Sequence, residues 1–262
     1  MSQQFECKLI LLGNGSVGKT SIIARFKEDG FVEVYKQTVG CDFFEKTIAF
    51  RGGAVALKMS VWDIGGQSLS SKNLPNYIMG SSAIFICYDT TDVQSFHDLE
   101  DWMRMITRSY SIKNKELNLE LEESTKKNKT FKPMPMPEIY CVGNKIDLIQ
   151  YRRVTESMHL EFQTRFNLTG SFFVSAQSGE NVLTTFYKVA GQSCGIELSS
   201  DELEFTKKVL AVTISGDSGG GGRTKGSKLI EDEDDQAHND VMNMFGAGGQ
   251  EKPASCNGCT VS

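Results

Sequence analysis

Long apolar runs are missing from this chain: no stretch approaches the roughly 18 residues that a membrane-crossing helix needs, which argues against a helical membrane protein. The N-terminus, Met1-Ser2-Gln3-Gln4, lacks the apolar core of a signal peptide and the glycine after Met1 that myristoylation needs, so synthesis in the cytosol is expected. Of seven cysteines, only Cys256 and Cys259 show C-x2-C spacing, and they lie near the C-terminus. Cys7, Cys41, Cys87 and Cys141 fall in or beside apolar runs and read as reduced, mostly buried thiols rather than disulfides or zinc ligands. A charge of one sign is also absent from the body. Residues 199–262 hold 6 Lys and Arg against 11 Asp and Glu, leaving 22 of each in residues 1–198, so the net charge of −5 resides in the tail. A neutral body with an acidic tail excludes nucleic acid as a partner on electrostatic grounds.

What is present is a phosphate-binding stretch. Gly13-Asn14-Gly15-Ser16-Val17-Gly18-Lys19-Thr20 fits G-x4-G-K-S/T, between an apolar run at 7–12 that reads as a strand and a helical pattern at 20–26 with Ile22, Ile23 and Phe26 on one side. Its chemistry follows from that setting. The backbone N–H groups from Gly13, Gly15, Ser16, Val17 and Gly18 converge on phosphates, Lys19 reaches the β and γ phosphates, and the Thr20 hydroxyl ligates magnesium.

Strand and helix patterns alternate downstream. Residues 42–50 and 55–63 flank Arg51-Gly52-Gly53 as a hairpin, and 83–88 and 139–142 are short apolar runs suited to parallel strands covered on both faces. Helices are expected at 95–109, opened by Ser95 and Asp98, at 155–166 and at 181–192, with a last strand at 172–175. The fold class is α/β: a P-loop NTPase with a mostly parallel, doubly wound, six-stranded sheet and helices on both faces. Residues 1–198 form the domain. A polar interruption at 113–137, holding three of the five prolines, reads as a solvated insertion, in which Leu117, Leu119 and Leu121 offer a short strand or docking segment as the alternative. Residues 199–262, with 10 of the 25 glycines, read as a disordered acidic tail in which 232–235 is a solvated acidic run rather than a metal site.

Three further motifs fall at predicted strand ends. In Trp62-Asp63-Ile64-Gly65-Gly66-Gln67, Asp63 supports magnesium, the Gly66 N–H faces the γ-phosphate and Gln67 orients the attacking water. Asn144-Lys145-Ile146-Asp147 and Ser175-Ala176-Gln177 lie where a base would sit. The Asp147 carboxylate accepts from guanine N1–H and the 2-amino group; adenine offers neither donor, and a site with unpaired polar groups rejects the wrong base by roughly 10⁴ or more.

In this order the motifs resemble the Ras superfamily of small GTPases, over residues 5–198 apart from the insertion. The run Tyr35-Lys36-Gln37-Thr38-Val39-Gly40 is similar to the first switch of the Rab family. The resemblance implies that Thr38 joins magnesium when the γ-phosphate is present, that Phe31 covers the guanine edge beside Tyr35, and that Phe43, Trp62 and Tyr77 face effectors. Lys19, Thr38 and Gln67 would then be the catalytic groups. Rabs usually carry Ala-Gly-Gln-Glu-Arg in the second switch and a terminal cysteine pair; here Gly65-Gly66-Gln67-Ser68-Leu69 and a final Cys259-Thr260-Val261-Ser262 stand instead. These departures resemble the divergent Rab subfamily twenty-eight, linked to endosomal sorting and cilia. The C-a-a-X ending predicts farnesylation of Cys259, with Cys256 a candidate for palmitoylation. The expected ligands are GTP or GDP and magnesium. The expected partners are an exchange factor, an activating protein, effectors and a prenyl-binding carrier, with reversible attachment to the cytosolic face of membranes such as the endosome or the cilium base. Two functional readings stay open at this point: a GTP-hydrolysing switch, and a non-hydrolysing guanine-nucleotide scaffold acting through insertion and tail. A P-loop kinase or ATPase leaves the Asn144 to Asp147 motif without a purpose.

Overall fold

The computed structural model describes residues 3–28, 38, 40–66, 74–123, 133–204 and 206. The elements in chain order are β1 (Gln3–Leu12), α1 (Lys19–Glu28), β2 (Cys41–Phe50), β3 (Val55–Ile64), α2 (Leu74–Ile78), β4 (Ala83–Asp89), α3 (Val93–His97), α4 (Leu99–Glu123), β5 (Glu138–Asn144), α5 (Glu156–Arg165), β6 (Gly170–Phe173) and α6 (Val182–Ser193). The strands form one sheet in the order β2-β3-β1-β4-β5-β6. The β2–β3 pair is antiparallel and the other neighbours are parallel, as the sequence led us to expect.

Alternation along each strand sorts the core into two layers. Leu9 and Leu11 of β1 pack with Phe26 of α1 and Phe186 of α6, whereas Ile10 and Leu12 meet Trp102 and Ile106 of α4 and Phe162 of α5. β4, central and covered on both faces, is buried at every position. The fully buried rings of Phe26 and Phe186 stack with centroids 3.9 Å apart. Burying each such ring contributes about 1.5–3 kcal/mol, enough to fix α1 and α6 against the same face. The carboxyl ends of β1, β3, β4 and β5, at Leu12, Ile64, Asp89 and Asn144, then share one edge of the sheet.

Four expectations change. The helix expected at 95–109 is two helices. Asp92 caps α3 by accepting from the Gln94 N–H, while the buried Ser95 hydroxyl sits inside that helix, donating to the Asp92 carbonyl at 2.7 Å. After the joint at Asp98, α4 runs on to Glu123, so residues 113–123 are helical rather than a solvated loop, and Leu117, Leu119 and Leu121 form no strand. Lys, Glu and Leu are good helix formers, and no proline interrupts them before Pro133. The returning chain is pinned to this extension, because Asn114 donates to the Met134 carbonyl at 3.2 Å and accepts from its N–H at 2.7 Å.

β6 ends at Phe173 rather than Ser175, since the Ser175 N–H turns to the Glu180 carbonyl at 3.0 Å. The start of the expected tail is also folded. Residues 200–204 are helical, opened by a capping box in which Ser199 N–H donates to Glu202 Oε2 at 2.8 Å and Glu202 N–H to Ser199 Oγ at 3.3 Å. Glu202, 7% exposed, also accepts from the Arg51 N–H at 2.9 Å, and Thr206 meets Thr184 at 2.9 Å, fastening this segment to the β2–β3 turn and to α6.

Candidate functional site

The loop after β1 is shaped by what surrounds it. A Cβ at Gly13 would lie 2.1 Å from the Cys87 carbonyl oxygen, and one at Gly18 would lie 2.3 Å from Asn144 Nδ2; both have positive φ, so glycine is required twice over. Beneath the loop the fully buried Cys87 thiol is pushed up to about 12 by burial, and it stays protonated and inert. Lys19, 6% exposed, donates from Nζ to the Gly13 and Asn14 carbonyls at 2.8 Å each. Its pKa is lowered by burial, so the ammonium gains from any anion brought to it.

Across the loop, three oxygens from three segments converge. Thr20 Oγ1 donates to Asp63 Oδ2 at 2.6 Å, Thr38 Oγ1 donates to the same oxygen at 3.1 Å, and the two hydroxyls are 3.1 Å apart. The other carboxylate oxygen, Asp63 Oδ1, is buried and has no hydrogen-bond partner among the described residues. Neighbouring ligands at about 2.1 Å from an octahedral magnesium stand about 3 Å apart, which matches this spacing. One carboxylate with two hydroxyls also suits a metal that takes its other oxygens from phosphate and water. The residues fit magnesium. Gly66 lies against the loop backbone, where a Cβ would be 2.1 Å from Gly15 N, and the Gly65 N–H donates to the Gly40 carbonyl at 3.0 Å.

On the base side, Asn144 and Lys145 turn to protein rather than outward. Asn144, 1% exposed, donates to the Val17 carbonyl at 2.9 Å and accepts from the Ala176 N–H at 3.0 Å, joining the phosphate loop to the 175–177 loop. Lys145, at φ 68°, donates to the Ser16 carbonyl at 3.0 Å and pairs with Asp89 at 2.7 Å. The exposed Asp147 accepts from the Ser175 hydroxyl. Two contributors escaped sequence reading. Arg25, buried on α1, donates Nε to the Ala176 carbonyl at 3.1 Å and Nη2 to that of Gln177; the signal was an arginine on the apolar side of a helix. Asp89 showed no signal beyond ending an apolar strand.

The three aromatics come together. Phe43, 58% exposed, stacks on Trp62 at 5.2 Å, and Trp62 meets Tyr77 at 6.5 Å, with the Lys8 ammonium 4.8 Å over the indole. Phe31, Tyr35, Gln67, Cys256 and Cys259 lie outside the described residues. Among the described residues no helix is long and apolar enough to cross a membrane.

Comparison with known proteins shows the family. The sequence model of the Ras family matches residues 8–194. The Ras-related protein Rab-28 of Caenorhabditis elegans is 32% identical over 207 residues, covering 79% of this chain and 75% of the relative. RABF2b of Arabidopsis thaliana is 31% identical over 191 residues, covering 72% and 82%, and SEC4 of Candida albicans is 31% identical over 183 residues, covering 70% and 75%.

Proposed function

Since this chain belongs to the Ras family of small GTPases, and within it to the Rab family, whose members hydrolyse GTP and regulate membrane trafficking, we propose that it is a nucleotide-dependent switch acting on endosomal or ciliary membranes. The observation that carries the reading is the meeting of Thr20, Thr38 and Asp63 oxygens beside an unpartnered Asp63 Oδ1. Thr20, Thr38 and Asp63 would hold magnesium there, and the ion would supply positive charge against the negative charge that builds up during phosphoryl transfer.

The chain's own groups supply the rest. Lys19 exchanges the carbonyls of Gly13 and Asn14 for phosphate oxygens. The N–H groups along Gly13 to Gly18 cradle the phosphate chain, and Gly66, seated on the Gly15 backbone, turns its N–H toward the terminal phosphate. Gln67 orients water for in-line attack. Thr38, held here against Asp63, would serve as a metal ligand in the GTP-bound protein, which makes it the sensor of the third phosphate. Asp147 reads guanine, held by the Ser175 hydroxyl, while Asn144, Lys145, Ala176 and Gln177 set the loops around the base and Phe31 and Tyr35 close its edge. No arginine stands beside Thr38 in sequence to neutralise charge from within, so turnover is slow until a partner's arginine adds roughly 10³–10⁵ in rate.

Phe43, Trp62 and Tyr77 present an aromatic face to effectors, and the exposure of Phe43 with the ring contacts among the three, Trp62 and Tyr77 being half-buried, supports that role. A farnesyl group on Cys259 gives reversible attachment, strengthened by acylation of Cys256, because one lipid chain alone binds weakly and the acidic tail adds no attraction to anionic lipid. The endosomal or ciliary site of action is supported by the Gly65-Gly66-Gln67 switch, the C-a-a-X end and the likeness to Rab-28. The test is the distribution of full-length Gln67→Leu and Thr20→Asn proteins in ciliated cells. The first should concentrate on endosomes or at the cilium base and the second should be diffuse; identical distributions would sink the proposal.

A further inference from the structure

We propose that Asn14 is a positioning residue for GTP cleavage, its amide clamped by Asp98 and Trp102 so that the Asn14–Gly15 peptide stands at a fixed place against Gly66; this rests on the GTPase reading above. In the G-x4-G-K motif this position accepts any residue, yet here its side chain leaves the phosphate loop altogether. Asn14 Nδ2 donates to Asp98 Oδ2, and Asn14 Oδ1 accepts from Trp102 Nε1 at 3.1 Å. Both partners are fixed in turn. Asp98 forms the joint between α3 and α4 and accepts from Gln94 Nε2 at 2.7 Å, and Trp102, in the first turn of α4, is fully buried.

The main chain of the same residue faces the chemistry. Its carbonyl accepts from Lys19 Nζ at 2.8 Å, and a Cβ on Gly66 would lie 2.4 Å from its carbonyl carbon and 2.1 Å from Gly15 N. Residue 14 is therefore the point where α4, the phosphate-binding lysine and the glycine before Gln67 meet. The clamp demands one donor toward a carboxylate and one acceptor toward an indole on the same short side chain, which asparagine provides. Asp at position 14 alone would set two carboxylates together. Asp at 14 with Asn at 98 would restore both bonds: donor and acceptor exchange between residues 14 and 98, and Trp102 Nε1 still donates to position 14.

Full-length protein is compared as wild type, Asn14→Ala, Asn14→Asp and the doubly substituted Asn14→Asp/Asp98→Asn. The chain has two tryptophans, so the GDP-bound protein gives two indole N–H signals by NMR, and Trp102→Phe assigns one of them. The Trp102 signal should shift in Asn14→Ala and return to near its original position in the double variant. Single-turnover GTP cleavage by Asn14→Asp should fall about tenfold, within the roughly 10²-fold that a 1 Å misplacement costs, with GDP dissociation changed less than about threefold. The double variant should recover cleavage to within about twofold of wild type. Unchanged cleavage in Asn14→Asp, or a double variant no better than the single, overturns the positioning role, as does a parallel loss of GDP affinity and cleavage. A wild type that binds GTP without cleaving it would instead refute the hydrolysis reading and this proposal with it.

Discussion

Replacing Asn144 with alanine separates a ligand of the base from a brace of the protein. The side chain is 1% exposed and spends its donor on the Val17 carbonyl and its acceptor on the Ala176 N–H, in residues 2% and 3% exposed. The substitution leaves one buried carbonyl and one buried N–H unpaired. At about 1–3 kcal/mol each, the loss is about 2–6 kcal/mol, or roughly 4–24 °C in Tm for a domain of this size. Urea unfolding of metal-stripped, nucleotide-free protein measures the loss with no nucleotide to confuse it. The same titration at saturating GDP should show the deficit persisting, enlarged by whatever binding energy the loosened loops forfeit. If nucleotide-free Asn144→Ala unfolds at the wild-type urea concentration while GDP dissociation accelerates, then Asn144 acts on the nucleotide directly and the bracing argument fails.

Asp147→Asn should behave in the opposite way: an amide oxygen still accepts from Ser175, so the fold is kept, but preference passes from guanine to xanthine, whose carbonyl stands where guanine has its amino group. Competition between the two diphosphates decides it, and retained preference for GDP would remove Asp147 from the base site. For Glu202, burial pushes the carboxyl pKa up, but hydrogen bonds from Arg51 and Ser199 outweigh it and hold it below the ordinary value. Its stabilisation is complete above the unfolded pKa of about 4.3 and is lost as pH falls through the lower folded value, so the Tm difference between wild type and Glu202→Gln should narrow below about pH 4. A pH-independent difference would show that charge plays no part. With the proposed farnesyl group as anchor, Cys259→Ser should leave the membrane fraction while binding GTP normally, and wild type should resist release by salt, since a lipid anchor is apolar and residues 199–262 are net acidic. Salt release of wild type would point to a basic surface as the anchor.

The candidate nucleotide motifs are legible because each is a short, contiguous spacing at the end of an apolar strand, on one edge of the sheet. The braces are not. Arg25 and the carbonyls of Ala176 and Gln177 are 151 and 152 residues apart in sequence, and nothing local marks such a pairing. The motif puts Asn144 where a base would sit, and nothing in it announces the two side-chain bonds to the loops on either side. Charge and the downstream prolines make 113–123 look like a loop, but they speak for exposure and not against a helix. Residues 199–204 were lost by averaging over a long acidic tail, although Ser199 and Glu202 have the spacing of a helix start. Fold class survived these errors because it depends on the number and order of apolar strands, which the errors left intact.

Asn144, Lys145 and Arg25 tie the loops after β1, β5 and β6 into one frame, each loop bonded to at least one of the others. Such a frame has no partly open form at low cost, since parting the β5 loop from either neighbour strips a buried bond of Asn144, and Arg25 of α1 holds the loop after β6 besides. An exchange factor therefore has no need to grip the base and the phosphates separately: a wedge driven under one loop propagates to the other two. The guanine nucleotide should leave in a single exponential step, whichever loop is displaced first.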